Sequence, residues 1–451
     1  MTARFDIPAP GVPTLVHFPP IARERLSNGL SIWAIRQDTL PVATATLVVP
    51  VGYASDPADQ HGLASLAADL LDEGAGAFDA IQLADELSRL GARFDIDVGA
   101  DATSISITSL VRVFPRALAM LADIVRRPHL AQPDFDRIRD LRLGRLRQLS
   151  RSASAMAERA YVRAVYGGHP YGHGSLGTTA SLQTLNADRI RAFVSEALSP
   201  RAATLIVGGA IEIRDIIQSA TAVFEGWTGP APSNEVPEVA PIRTTSQILL
   251  VDRPGSPQSE LRIGHRGPAR TTPSYYRLVT LNALLGGQFT SRINRRLREE
   301  QGVTYGARTA FEFRRTGGLF VCETSVQGDA TARAVGDVLQ EFDVVGQPGS
   351  ITDDELTLAK ASLTRGYVRQ FETVGQIVRA ATQLAIYSMA DDTFDRFVPQ
   401  VEAVSAESSG AAAREFIHAH GAVVVVVGDA ATCMEPLRSV GRDVQIETVT
   451  F

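Results

Sequence analysis

The sequence predicts an α+β fold built from two homologous α/β units, each a mostly antiparallel sheet with helices on one face. Three observations predict it: a pattern that occurs twice, period-two strands within each copy, and a polar Pro/Gly-rich stretch between the copies. Near the end of the first half stands "IRAFVSEALSPRAATLIVGGA", and near the end of the second "AAAREFIHAHGAVVVVVGDA". Both read as an amphipathic helix, a short loop and a buried strand ending in Val-Gly, so that Phe193 and Val207-Gly208 correspond to Phe416 and Val427-Gly428. Between the copies lies "GWTGPAPSNEVPEVAPIRTTSQ", rich in Pro, Gly, Ser and charge, which reads as a linker. The units are drawn at 1–228 and 247–451, with the linker at 229–246.

Each copy repeats its internal order. A helix precedes Gly91 and strands follow, with Ile105, Ile107 and Leu110 alternating with serines and threonines. A second helix precedes Gly302, and Phe311, Phe313 and Phe320 stand against charged neighbours. In "HGLASLAADLLDEGAG", Leu63, Leu66, Ala67, Leu70 and Leu71 form the stripe of a helix packing one side into a core, with Gly74 as its stop. Ser65 and Asp69, four apart, share another face of that helix.

At 451 residues the chain is too long for one compact core. A formal net charge of −6 argues against a general affinity for nucleic acid or anionic membrane. Cys322 and Cys433 sit in different halves, form no metal-ligand spacing and exclude a disulfide framework. No apolar run reaches membrane-spanning length; "AVVVVVGDA" is strand-sized. The start, "MTARFDIPAPGVPTL", lacks the charged and apolar regions of a secretory signal, which reads as cytoplasmic as written, or periplasmic if the N-terminus was trimmed.

Four separated stretches stand in order along the chain: "LSNGLSIWAIRQDTLPVATATLVV", "HGLASLAADLLDEGAG", "YGGHPYGHGSLGT" and "LNALLGGQFTSRINRRLREEQGVTYGA". Together they resemble the pitrilysin, insulinase and mitochondrial processing peptidase family of zinc peptidases. The resemblance runs from about Leu26 to Asp429 and implies one half of a clamshell. Active members carry an inverted His-x-x-Glu-His on the helix after Gly-Leu-Ala, because a zinc peptidase needs two neutral imidazoles one turn apart and a carboxylate beside them. Here those positions read Ser65, Leu66, Ala67, Ala68 and Asp69. The family's third ligand, a Glu on a later helix, falls by register at or beside Arg145 in "FDRIRDLRLGRLRQL". The expectation is a chain that holds no zinc.

In the second half Arg298 and Tyr305 stand seven apart, with Thr290 or Ser291 able to cap the helix through Ile293 and Leu297 and Gly302 able to end it. Active members of the family use an Arg and a Tyr at this spacing to complete a zinc site carried elsewhere. The resemblance implies the same roles: Tyr305 as a donor to the developing oxyanion and Arg298 as a clamp on substrate carbonyls. Gly286 and Gly287, in "LLGGQFTSR", resemble the family's substrate-handling glycine-rich loop. The resemblance thus implies a non-zinc subunit of a heterodimeric peptidase. Its partner would be a homologous zinc-binding subunit, its substrates peptides or unfolded segments, and zinc would lie in the partner alone. The rival reading is a non-enzymatic scaffold subunit of a larger complex.

Other polar clusters read as structural. His169 and His173 flank a Pro-Tyr-Gly turn without a carboxylate at helical offset, and His61 reads as a solvent-facing loop residue. Asp69 reads as a helix-face charge bonding one of the nearby arginines, and the Arg-dense helix from Arg137 to Arg151 as a solvated face or subunit contact. Asp72 and Glu73 read as a helix-end charge cluster.

Overall fold

A computed structural model describes residues 11, 15–230, 235–242, 245–440, 444–447 and 449. In the first half the strands are β1 (Ala22–Arg25), β2 (Ser31–Arg36), β3 (Val42–Val49), the short pair β4 (Gly74–Ala75) and β5 (Phe78–Asp79), β6 (Arg93–Val98), β7 (Thr103–Leu110) and β8 (Thr204–Gly209). The second half supplies β9 (Gln247–Asp252), β10 (Gln258–Gly267), β11 (Ala307–Glu312), β12 (Gly318–Gln327), β13 (Val423–Gly428) and β14 (Val444–Ile446).

Two six-stranded sheets result, ordered β1-β2-β8-β3-β7-β6 and β11-β12-β10-β13-β9-β14. Read from its β14 edge, the second has the order of the first. In both, the late strand runs parallel to the first long strand (β8 with β2, β13 with β9) and antiparallel to its other neighbour (β3 or β10). The edges differ: β1 precedes its half and lies antiparallel to β2, whereas β14 ends its half and lies parallel to β9.

The equivalence within the late strands is one residue off the sequence reading. Val207 packs with its own half's helices, among Ile190 and Val194, while Val427 faces the opposite side of its sheet with Val423 and Val425. The residues of β13 that face their own half's core are Val424 and Val426. Val207 therefore matches Val426, Gly208 matches Val427, and Gly209 matches Gly428. A one-residue slip inverts every side chain of a strand, so the buried face decides the alignment.

Each sheet is covered on its second face by a helix from the other half. The Ala153–Tyr166 helix lays Ala157 and Tyr161 on Val423, Val425 and Val427, and the Tyr161 hydroxyl donates to the Phe320 carbonyl at 2.6 Å. The Val374–Tyr387 helix returns the exchange, packing Ile377, Val378 and Ala381 on Ile35, Val48 and Ile206. Apolar surface buried this way contributes roughly 25 cal/mol per Å², so the two halves form one body. Within the stretch read as a linker, Val236 and Val239 pack against the second sheet's outer cluster, and His169 Nε2 lies 2.9 Å from the Pro237 carbonyl. Residues 231–234 and 243–244 of that stretch, and most of the N-terminal segment read for a signal, lie outside the described residues. Among the described residues no helix is long and apolar enough to cross a membrane.

Candidate functional site

The helix that carries the lost zinc motif spans Leu63–Asp69, shorter than its apolar stripe suggests; Leu70 and Leu71 stay buried beyond its end, and Gly74 opens β4. Its N-terminus is held by Asp56, whose carboxylate accepts from Gly62 N at 2.7 Å and Ala64 N at 2.8 Å. Burial pushes the Asp56 carboxyl up to about 7, against the lowering effect of those amides and of Arg142. Ser65 and Ala68 are buried and offer no imidazole or carboxylate. The half-exposed Asp69 carboxylate pairs with the buried Arg142 guanidinium, which also donates to the Gly62 carbonyl at 3.4 Å. A cation thus stands against the one acidic side chain at these positions. Arg145, where register put the third ligand position, is exposed, and the arginine that meets the helix is Arg142. Among the described residues no group of three or more His, Cys, Asp or Glu side chains is placed to hold a metal ion. The residues present do not fit zinc.

The histidines come together without making a metal site. His61 is half-buried in its loop, and its ring stacks on His173 with centroids 3.8 Å apart. Burial holds His173 down to about 4, and His61 is lowered by the same cause. His169 spends both nitrogens on backbone, Nδ1 accepting from Tyr171 N at 3.1 Å and Nε2 at the Pro237 carbonyl.

The second-half residues line one open groove of about 500 Å³, shared by Gly286, Gly287, Arg298 and Tyr305. Ser65, Ala68, Asp69 and Arg145 are not among its lining residues. The chain reaches the groove through two wide helical turns of π geometry, Ala283–Gly287 and Arg295–Glu300, with the short α-helix Arg292–Asn294 between them. Such turns are rare and concentrate at functional sites. Ser291 stands at the helix N-cap, and Gly302 takes the left-handed φ of +67° that ends the second π segment. A β-carbon at Gly286 would lie 2.5 Å from Thr309 Oγ1, and one at Gly287 2.7 Å from Asn282 Nδ2. Gly286 therefore lets the loop approach β11, and Gly287 lets it fold back on the end of the preceding helix.

Arg298 Nη2 donates to Glu299 Oε1 at 2.8 Å and to the Phe289 carbonyl at 3.3 Å, and the guanidinium carbon lies 3.2 Å from the centroid of the Phe289 ring. Nη1 is buried with no partner among the described residues. Tyr305 is 95% exposed, a phenol available to whatever arrives from outside. Asn294, which the sequence reading passed over, fixes the arrangement: Nδ2 donates to the carbonyls of Gln288 and Ala307 at 3.1 and 2.6 Å, and Oδ1 accepts from Ala307 N at 2.8 Å. Phe289 was also passed over. Its signal was available as a bulky apolar residue beside two glycines, in a loop where an exposed aromatic serves no core. Arg308, Glu260 and Glu323 add mixed charge to the walls.

This arrangement offers a hydrogen-bond donor and a guanidinium to an extended polar chain. The comparisons agree with the architecture. Residues 32–179 match the family described as Insulinase (Peptidase family M16), and residues 184–363 match the Peptidase M16 inactive domain. The chain is 22% identical over 406 residues to an uncharacterized zinc protease of Streptomyces coelicolor, covering 88% of this chain and 87% of that one. It is 23% identical over 262 residues to cytochrome b-c1 complex subunit 1, mitochondrial, of Bos taurus, covering 58% and 54%. Among solved structures, a peptidase M16 inactive domain from Pseudomonas fluorescens superposes with a TM-score of 0.85 at 23% identity, covering 91% of this chain and 98% of that one. A protease from Helicobacter pylori does so with a TM-score of 0.84 at 16% identity, covering 91% and 99%. The chain belongs to peptidase family M16, the insulinase family.

Proposed function

We propose that this chain is the non-zinc-binding subunit of a heterodimeric peptidase and lends Arg298 and Tyr305 to the zinc site of a homologous partner. The observation that carries the reading is the contrast between the two ends of the machinery. The zinc positions hold Ser65, Ala68 and an Asp69 neutralised by Arg142, while Arg298 and Tyr305 remain together on an open groove. An exposed phenol on the same groove as a guanidinium has no packing role in this chain. In this reading the chain comprises two units, 1–228 and 247–451, joined by 229–246, and supplies half of a closed chamber for peptides or unfolded segments.

The partner would carry the metal, which supplies a polarised water for amide hydrolysis. This chain's share is positioning and charge. Arg298 binds a backbone carbonyl of the substrate through its fork, the Gly286–Gly287 loop lies along the peptide, and the Tyr305 hydroxyl donates to the oxygen on which negative charge develops. The test is to purify the tagged chain from its native host and identify what accompanies it in stoichiometric amount. A partner of similar size bearing His-x-x-Glu-His is expected, and Tyr305→Phe should lower kcat of the complex on the order of a hundredfold.

One relative supports a second reading. The bovine protein named as a cytochrome b-c1 complex subunit is similar to this chain over part of its length, so a scaffold role is the competitor. It predicts that Tyr305→Phe leaves the activity of any partnered complex unchanged.

A further inference from the structure

The groove's guanidinium is capped. Phe289 lays its ring on Arg298 at 3.2 Å while its own carbonyl accepts from Nη2, and Glu299 takes a second bond from the same nitrogen. Nη1 of the same guanidinium is buried and without a partner among the described residues. A buried guanidinium donor left unpaired is unfavourable, so the arrangement favours any change that brings a carbonyl to Nη1. Phe289 is 72% exposed and serves no core. It sits on a segment held at either side: Asn294 fixes the Gln288 carbonyl before it, and the Arg292–Glu355 pair, at 2.8 and 2.9 Å, anchors the helix after it. Movement is therefore confined to Phe289 and its immediate neighbours, with the double glycine just upstream.

We infer that Phe289 is a specificity-determining and positioning residue: its ring occupies the place of an apolar side chain of the incoming peptide, which displaces it and thereby opens Arg298 Nη1 to the peptide's carbonyl. The inference rests on reading the groove as a peptide site. The substrate class it assigns is an extended peptide with an aromatic or large aliphatic residue next to the carbonyl that Arg298 binds. Such a side chain replaces the cation–π contact that the guanidinium loses, or packs on its apolar face; a glycine or aspartate offers neither replacement. Phe289 acts through Arg298, so its signature is the accessibility of that guanidinium.

Two measurements on the full chain test this without the partner. Phenylglyoxal modifies accessible guanidinium groups, and the rate at Arg298 is read by peptide mass spectrometry. Arg298 should react at least about tenfold faster in Phe289→Ala than in the wild type, and slowly again in Phe289→Trp, since an exposed site tolerates all three side chains. In Phe289→Trp, the emission of the new indole should change saturably with an acetylated, amidated Ala-Phe-Leu-Ala peptide and not with Ala-Gly-Gly-Ala. Equal modification rates in wild type and Phe289→Ala, or equal response to the two peptides, would overturn the inference. Neither readout depends on a zinc-bearing partner or on Tyr305, so failure of the subunit reading shows separately, in the copurification and in Tyr305→Phe.

Discussion

The helix Leu63–Asp69 in the first half and the groove at Arg298 in the second show how two copies of one architecture differ in chemistry. In the first, the polar side chains are spent on each other: Asp69 on Arg142, and Asp56 on the helix amides. In the second they are only partly spent: Arg298 bonds through Nη2 while Nη1 is unpartnered among the described residues, and the Tyr305 phenol lies in solvent. The backbone differs correspondingly. β6 begins two residues after Gly91, whereas β11 begins five residues after Gly302, and the three additional residues include Tyr305. Val303 and Ala92, each directly after its glycine, both pack on their cores. The extra length therefore serves to present a side chain rather than to fill space. A duplicated fold keeps its cores alike and places its chemistry in such local differences.

The largest expected effect is on the sealed side. Removing Arg142 takes out a buried guanidinium and strands a carboxylate. A fully buried pair broken this way costs about 3–5 kcal/mol; because Asp69 is half exposed, the expectation for Arg142→Ala falls to about 2–3 kcal/mol. Arg142→Met, which keeps the volume, should cost about half as much. Urea unfolding at neutral pH measures both. If Arg142→Ala were neutral, the pair would be incidental and the first-half site would not be sealed by it.

Next comes pH, where the two halves should respond with opposite sign. Asp56 has its folded pKa raised to about 7 by burial, so its contribution to stability is present below the ordinary carboxylate range and is lost as pH rises through about 7. Glu355 is the reverse. Although burial raises it, the two Arg292 hydrogen bonds and the Thr352 cap hold it at about 2. Its contribution is present above the ordinary range and is lost as pH falls through about 2. Hydrogen exchange followed peptide by peptide should show residues 62–70 loosening from about pH 5 to about pH 8. Residues 292–300 and 352–364 should loosen only in acid. Asp56→Asn should flatten the first dependence and Glu355→Gln the second. Parallel responses in both halves would contradict the contrast.

How far these features could be read in advance differs with their physical origin. The duplication, the strands and the Gly302 stop are encoded locally, in alternation and in backbone needs, and they are legible. The slip between Val207 and Val427 was not, because two Val-Gly pairs look alike until the packing shows which face each valine occupies. Arg142 and Arg145 are three apart on one helix, and only the tertiary rotation of that helix selects the one that meets Asp69. The exchange of the Ala153–Tyr166 and Val374–Tyr387 helices was equally hidden, since an amphipathic stripe specifies that a sheet is covered without specifying whose. Gly286, Gly287, Arg298 and Tyr305 line one groove, and the sequence reading grouped them only through the family resemblance.

The smallest expected effect discriminates most sharply between a scaffold and a working surface. Tyr305 is 95% exposed, and its hydroxyl holds no bond within the chain among the described residues. Tyr305→Phe should therefore change unfolding free energy by less than about 0.5 kcal/mol, and Tyr305→Ala by little more. Asn294→Ala, only eleven residues away, should cost about 2–3 kcal/mol, because it strands the buried Ala307 amide and carbonyl. Measured side by side by thermal melting and urea unfolding, the two substitutions separate the frame of the groove from what it presents. A stability-neutral Tyr305→Phe that abolishes activity in the partnered complex is a pattern only chemistry explains. A destabilising one would mean that the phenol is bound into the fold, and the comparison between a sealed half and an open half would lose its second member.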